Sequence, residues 1–243
     1  MGTLRAKTIE PATGSTLTLG ASGDTITVSS DSIKVNTFKD AGGNTLFTSD
    51  GAGTVSSVNS GIGAAGPVLI STATVTSSTT SVEFTTGIDS TYDEYMFVYT
   101  DFEPVNDGPH IQWQASTNGG SSYGVTATSA LFLAYHAENN TVSGPSYNTG
   151  YDDAQSTSDI SLNVGTGTTT DECAAGILHL YNPASTTYVK HFQARTQSYQ
   201  DNDYSTDAFC SGYINTTTAI NAVHFVASSG NIANVVIQMY GIA

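Results

Sequence analysis

Acidic side chains are the residues of this chain whose spacing could support chemistry, and they cluster in two predicted loops. Six of them form two groups of three: Asp101, Glu103 and Asp107, then Asp201, Asp203 and Asp207. Paired carboxylates can act as acid and nucleophile in glycoside hydrolysis, and clustered carboxylate oxygens can bind Ca²⁺. Neither group follows the Asp-x-Asp/Asn-x-Asp/Asn-Gly pattern of a calcium-binding loop. We therefore interpret both groups as solvated loop carboxylates and expect no metal ion and no cofactor.

Other residue types that often carry catalysis show no catalytic arrangement. The histidines are single residues at no metal-ligand spacing: His110, His136, His179, His191 and His224. No Gly-x-Ser-x-Gly motif is present, and no phosphate-cradling loop precedes a helix, because no stretch has helical periodicity. Cys173 and Cys210 are expected to be reduced thiols in a cytoplasmic product, although a bond between them stays open. We expect a protein that is not an enzyme.

Tyrosines in two predicted loops are a candidate binding surface. Four of them lie in the segments 144–155 and 198–207: Tyr147, Tyr151, Tyr199 and Tyr204. A tyrosine offers a flat apolar face and a hydroxyl group, which suit glycan or protein surfaces. The alternative is that these rings pack on their own loops. We expect the four tyrosines to contact a receptor.

The composition excludes several classes of partner. Only 11% of the 243 residues are charged, and six Lys and Arg against 21 Asp and Glu give a net charge of −15. This balance disfavours nucleic acid and anionic membranes, which both need cationic contacts. No apolar run approaches the roughly 20 residues of a membrane span. Met1–Ala6 lacks the apolar core of a signal peptide, which predicts synthesis in a cytoplasm without export.

The charge is distributed unevenly, which indicates parts with different roles. Residues 1–50 hold four basic and five acidic residues, whereas residues 51–243 hold two basic and sixteen acidic residues. The stretch 49–67, near the change in charge, is rich in glycine and serine and ends in a proline, as in a domain boundary. We predict an attachment and shaft segment at 1–48, a linker at 49–67 and a head domain at 68–243.

Short apolar pairs recur in the N-terminal segment, separated by turn signals. The pairs are Leu17 and Leu19, Ile26 and Val28, Ile33 and Val35, and Leu46 and Phe47. They predict four short strands of a fibrous β-repeat. Two apolar residues per strand cannot form a core in one chain of this size. Either the segment is a flexible linker or several chains share one core, and we favour a cyclic homo-oligomer.

The remainder of the chain predicts an antiparallel sandwich of two sheets. Ten or eleven short strands alternate with turns rich in Gly, Pro and Asn, and no helix is indicated. The segments Ala222–Val226 and Asn234–Ile242 flank a Ser-Gly-Asn turn and predict a closing hairpin whose last strand is interior. Trp113 is expected between the sheets, with Gln112 and Gln114 pointing away. We predict an all-β chain with a jelly-roll-like sandwich.

Several segments resemble virion proteins of tailed bacteriophages. Three segments are similar to a module common in these proteins: LHLYNPASTTYVKHFQAR at 178–195, INAVHFVASSGNIANVVIQMYG at 220–241 and STNGGSSY at 116–123. The first has a predicted hairpin around Asn182-Pro183, and the third is predicted to be a hairpin closed by a Gly-Gly turn. LRAKTIEPATGSTLTLGASGDTITVSS at 4–30 resembles the attachment and shaft segment of phage fibres. Together these segments cover most of the chain.

The resemblance implies a structural virion component made in the host cytoplasm. It would be a homotrimeric tail fibre, head fibre or capsid decoration protein whose β-sandwich head faces outward. Its partners would be other virion proteins and a host-surface glycan or protein. The anchoring residues would lie at the N-terminus: Leu4, Arg5, Lys7 and Ile9. Two alternatives remain, a short tailspike hydrolase of host polysaccharide and a carbohydrate-binding module.

Overall fold

The computed structural model describes residues 37–40, 42–49, 51–52, 55–58, 66–169 and 171–242. The chain separates into two compact units, Met1–Gly63 and Ala64–Ala243. The described residues contain strands and turns but no helix, which confirms the all-β class. Accordingly, this part of the chain has no helix that is long and apolar enough to cross a membrane.

The first unit contains a three-stranded antiparallel meander. Its strands are β1 (Thr37–Lys39), β2 (Thr45–Ser49) and β3 (Val55–Val58), in that spatial order. The predicted pair Leu46 and Phe47 lies in β2, and β3 lies within the stretch 49–67 assigned to a linker. The other apolar pairs and the four anchoring residues lie outside the described residues.

No side chain described in this first unit is buried. Phe38 and Phe47 stack with ring centroids 4.6 Å apart, yet Phe38 remains 38% exposed. The meander has polar turns, in which the Asp40 carboxylate accepts a bond from the Asn44 backbone amide. The described side chains of these strands therefore form no buried core, although the backbones form a ladder.

The second unit contains thirteen strands among its described residues. In chain order they are β4 (Val68–Val75), β5 (Val82–Phe84), β6 (Glu94–Pro104), β7 (Ile111–Ser116), β8 (Ala127–Ala137), β9 (Ser143–Tyr147), β10 (Ala154–Ser156), β11 (Ile160–Ser161), β12 (Ala174–Tyr181), β13 (Lys190–Gln200), β14 (Tyr204–Ile214), β15 (Ala222–Ala227) and β16 (Ile232–Ile242). All of their pairings are antiparallel. They form a large sheet in the order β10-β8-β14-β13-β12-β6-β16-β4, with β9 also paired to β8, and a small sheet in the order β11-β7-β15-β5.

The strand order is that of a jelly roll with two additions. The last four strands of that order, β12-β6-β16-β4, face the small sheet β11-β7-β15-β5. Strands of this set that follow one another in the chain cross from sheet to sheet, except between β7 and β11. The β13–β14 hairpin and the β8–β10 segment extend the large sheet beyond β12. The predicted sandwich is therefore confirmed, and the last strand is interior, between β4 and β6.

Two predicted hairpins are wrong, and one is confirmed. β15 pairs with β5 and β7, whereas β16 pairs with β4 and β6, so the Ser-Gly-Asn turn connects the two sheets. The Gly-Gly turn after β7 likewise leads into the other sheet. The two strands that flank such a turn each need an apolar inner face, whether they pair with each other or lie in different sheets. The sequence pattern is therefore the same for a hairpin and for a crossing between sheets. The turn at Asn182-Pro183 does join paired strands, β12 and β13.

The sheets enclose a single core centred on aromatic rings. Trp113 is fully buried and packs edge-to-face on Phe192, with 5.0 Å between centroids, which confirms its predicted place. Gln114 also is fully buried, because the segment before β11 covers the outer face of the small sheet and Ser158 O accepts a bond from Gln114 Nε2. The expectation that Gln114 simply points outward therefore misses this cover.

Two segments predicted as loops contain strands. The stretch 136–157 contains β9 and β10, and the stretch 197–207 is mostly the continuation of β13 and β14 around a turn at 201–203. Both stretches are rich in Asn and Asp, which have low strand propensity. Pairing with β8 and within the β13–β14 hairpin outweighs that propensity.

Candidate ligand-binding groove

The outer face of the large sheet is the candidate site. Side chains alternate along each strand, and on β13 the residues Lys190, Phe192, Ala194, Thr196 and Ser198 are buried while the intervening residues are exposed or half-buried. The strands β6, β8, β12 and β14 alternate in the same way, so that about every second side chain of each strand faces outward.

A central row of apolar and aromatic residues crosses five neighbouring strands in register. Val98 pairs with Ile177, Ile177 with Arg195, Arg195 with Phe209, and Phe209 with Phe132. At about 4.8 Å per strand this row spans roughly 19 Å. Phe132 is 51% exposed although it lies on a strand whose inner face is buried. The row is therefore not part of the core.

Arg195 is held in place within this row from two sides. Its Nε and Nη2 atoms donate to the two carboxylate oxygens of Asp207 at 2.9 and 2.7 Å. Its guanidinium carbon lies 5.0 Å from the centroid of the Phe209 ring, and Phe209 in turn stacks nearly parallel on Phe132, 5.0 Å away. The hydrogen bonds to Asp207 raise the pKa of Arg195 further. The stack fixes a permanent cation at the centre of an otherwise apolar row.

Polar side chains flank the central row on both sides. Gln193 and Gln197 lie two residues before and after Arg195 on the same face of β13. Ser211 pairs with Gln193 in register, and Ser205 lies on β14 beyond Asp207. Gln197, Ser205 and Ser211 make no side-chain hydrogen bond to any residue that the structure describes. These amides and hydroxyls remain available to a ligand.

Small residues form the floor of the groove. Ala175 and Gly176 lie on β12 beside Arg195 and Gln197. A side chain at Gly176 would lie 2.5 Å from both the Arg195 carbonyl oxygen and the Tyr99 hydroxyl, so only glycine fits there. Below the floor, the Tyr99 hydroxyl is bonded to Thr196 Oγ1. The resulting open groove has a volume of about 950 Å³, within the range of ligand sites.

His179 closes one flank of the groove and is itself paired. Its Nδ1 atom contacts Glu94 Oε1, and its ring stacks on Tyr181 with 6.2 Å between centroids. The Arg195 cation of the groove therefore has Asp207 as its partner, and the His179 ring has Glu94.

The predicted tyrosines do not form one surface. Tyr147 ends β9 in register with Phe132, is 57% exposed, and donates its hydroxyl proton to Asp152. It thus lies next to the end of the central row. Tyr151 packs against the core, its hydroxyl bonded to the Val164 carbonyl.

The other two predicted tyrosines lie beside the β13–β14 turn. Tyr204 pairs with Ala137 at the far end of β8 and faces Tyr135 at 6.1 Å. Tyr199 is half-buried near Glu138, and burial together with that carboxylate raises the pKa of Tyr199 to about 12. Residues 132 and 137 are about 17 Å apart along β8, so this pair is separate from Tyr147.

The acidic groups are not all solvated loop carboxylates. Asp101 and Glu103 lie on β6, where Asp101 has a φ of 56° at an irregularity in the pairing with β12. Asp207 lies on β14 and binds Arg195. Among the described residues, no three His, Cys, Asp or Glu side chains are arranged to hold a metal ion. Cys173 and Cys210 are both free, and burial raises the pKa of Cys210 to about 12.

Sequence reasoning missed the groove because its residues are far apart in the chain. The available local signal was the alternation in KHFQARTQ at 190–197, which places a glutamine, an arginine and a glutamine on one strand face. Phe132 on an outward position of β8 was the other signal. Only the register of the strands joins these residues.

Comparison of the chain with protein-family models, with curated proteins and with solved structures finds no match.

Proposed function

We propose that this protein is a non-catalytic attachment component of a tailed-phage particle, a fibre or decoration protein. In this proposal the N-terminal unit joins three copies and anchors them in the virion through Leu4, Arg5, Lys7 and Ile9. The sandwich unit then presents the groove to a host-surface receptor.

The observation that carries this proposal is the exposed central row of the groove. The second unit already has a complete core, so the row from Val98 to Phe132 is not required to bury apolar surface within the chain. Large apolar side chains held exposed on a rigid sheet are typical of an interaction surface. The phage setting rests on the sequence resemblance.

The first unit supports the proposed trimer. None of its described side chains is buried, although Phe38 and Phe47 form a stacked pair. Shared burial between copies would supply the core that one chain lacks. The small net charge of residues 1–50 would allow such close packing.

The hydrolase alternative depends on the two acidic segments, which do approach each other. A side chain at Gly108 would lie 3.2 Å from the Asp201 carboxylate, so the loop after β6 lies against the β13–β14 turn. This contact places carboxylates at one end of the sandwich, and we regard hydrolysis as the competing outcome of the test below.

The test uses particles, cells and the purified full chain. Antibody against the sandwich unit should label virions in electron micrographs, and purified protein should inhibit adsorption of particles to host cells. Removal of Met1–Glu10 should prevent incorporation into particles while leaving the purified protein folded. Absence of labelling on virions would refute the proposal, and release of reducing ends from host polysaccharide would favour the hydrolase.

A further inference from the structure

We propose that the groove on the large sheet binds an uncharged oligosaccharide, with Phe132 as the stacking surface and Arg195 as the central hydrogen-bond donor. This inference rests on the proposed attachment function and specifies the chemical class of the receptor.

The arrangement of the lining matches the two kinds of surface on a sugar. A sugar ring has an apolar face of C–H groups and a rim of hydroxyl groups that both donate and accept hydrogen bonds. The central row offers the exposed half of Phe132 and the side chain of Ile177. The flanking rows offer amides and hydroxyls, and Gln193 and Gln197 can each donate and accept.

Arg195 is pre-organised for this role. Two of its five N–H donors bind Asp207, which leaves three donors for hydroxyl oxygens of a ligand. Because Asp207 and Phe209 already hold the guanidinium, its side chain loses little conformational entropy when a ligand binds. An exposed arginine without these contacts would lose that entropy when the ligand binds.

Charge favours a neutral ligand. Residues 51–243 carry two basic and sixteen acidic side chains, so an acidic polysaccharide would be repelled by the unit as a whole. A cationic partner would meet Arg195 at the centre of the groove. Within the groove the Arg195 cation is paired with the Asp207 carboxylate, which leaves a surface of no net charge suited to hydroxyl groups.

The same charges disfavour a second copy of this chain as the occupant. Two sandwich units of the same strongly negative charge repel each other. A flat protein partner would also bury the side-chain amide of Gln197 and the hydroxyls of Ser205 and Ser211. Each buried group would carry a desolvation penalty unless the partner formed a hydrogen bond to it. An oligosaccharide can satisfy these groups with its own hydroxyls.

The test measures binding of the full chain to defined probes by calorimetry. The neutral probes are maltohexaose, cellohexaose and N-acetylchitohexaose, and the charged probe is hexagalacturonic acid. We expect at least one neutral probe to bind, and the charged probe to bind at least about tenfold more weakly. Phe132→Ala and Arg195→Ala should each weaken the binding about tenfold or more.

A groove-filling variant and a matched control keep the test independent of folding. Ala175→Trp adds bulk to the floor without removing a polar group and should abolish binding. Tyr188→Ala removes an aromatic ring that is 71% exposed in a different hollow beside Asn182, and should change the affinity by less than about twofold. Near-ultraviolet circular dichroism reports whether each variant is folded.

Three binding results would overturn the inference. They are no binding of any neutral probe, an unchanged affinity of Ala175→Trp, or a loss of affinity in Tyr188→Ala as large as that in Phe132→Ala. Dissociation of the assembled protein by Ala175→Trp in sedimentation would identify the groove as a contact between copies and would also overturn it. If the protein blocks adsorption to cells and Ala175→Trp blocks equally well, the attachment function stands and only the groove assignment fails. If the groove binds a neutral probe but the protein never blocks adsorption, the attachment function fails instead.

Discussion

The guanidinium of Arg195 lies over the ring of Phe209, 5.0 Å from its centroid, although neither residue belongs to the core. Arg195 is 67% exposed and also binds Asp207. Exposed ion pairs and exposed cation–π contacts each contribute about 1 kcal/mol or less. We therefore expect Arg195→Ala to lower the urea midpoint of unfolding only slightly. Urea denaturation measures this, and a larger loss would give Arg195 a structural role.

Trp113 is the opposite case, a ring that the fold needs. It is fully buried against Phe192, and Trp113→Ala should cost roughly 3–5 kcal/mol because of the cavity left behind. Its indole Nε1 has no hydrogen-bond partner among the described residues, so Trp113→Phe removes an unsatisfied group and should cost roughly half as much. Denaturant unfolding checks both variants. Because Trp113 is the sole tryptophan, a water-exposed emission maximum in the native protein would contradict its assignment.

The contrast between these residues shows what could be predicted from the sequence. The alternation of Ile111, Trp113 and Ala115 places Trp113 on an inner face, because a strand has only two faces and one must be buried. β16 is apolar on both faces apart from Gln238, and this composition predicts its interior position. Which sheet each strand joins is not a local property. The sequence therefore predicts hairpins at the turns after β7 and β15, where the structure has crossings between the sheets.

The groove could not be predicted for the same reason. Phe132, Ile177 and Arg195 become neighbours only through the register of β8, β14, β13 and β12. Loop composition predicts a binding surface of tyrosines instead, and of these the structure brings Tyr147 beside Phe132. Composition identifies residue types that suit binding, whereas strand pairing decides which of them share a surface.

His110 should make stability depend on pH. Burial lowers the pKa of His110 to about 4, whereas an unfolded histidine has a pKa of about 6.5. Between these values the unfolded chain takes up a proton that the native protein does not, so stability falls as the pH decreases from 6.5 to 4. The loss should be roughly 3 kcal/mol and should be complete below pH 4.

A pair of variants isolates this contribution. The His110 ring contacts Ser161 Oγ through Nε2 and lies edge-on against Tyr151, and His110→Gln retains a hydrogen-bonding group that does not titrate. The stability difference between the wild type and His110→Gln should shrink as the pH falls from 6.5 to 4. His136→Gln, at an exposed position, is the matched control. A difference that is constant across this range would contradict the prediction.

Lys190 should stabilise a loop from within the core. It is fully buried, and its Nζ atom donates to the carbonyl oxygens of Thr216 and Thr218 at 3.1 and 2.8 Å. Lys190→Met keeps the apolar length of the side chain but leaves both carbonyls without this donor, which should cost about 1–3 kcal/mol. Hydrogen exchange should become faster at residues 216–220 and stay unchanged in β16. Uniform acceleration throughout the sandwich would show that the lysine acts on the whole fold instead.

Self-association should depend on the first unit and not on the sandwich. The sandwich has its own core, so a fragment 64–243 should be folded and monomeric, whereas the full chain should be a trimer. Sedimentation equilibrium measures the mass of each, and near-ultraviolet circular dichroism from Trp113 reports folding of the fragment. In the full chain, replacing both Phe38 and Phe47 with Ser should weaken the trimer, because this stacked pair supplies apolar surface that one chain leaves exposed. Replacing Thr37 and Thr48, which pair in register on the same two strands, with Ser is the matched control. A monomeric full chain would refute the shared core, and a trimeric fragment would place the association surface on the sandwich.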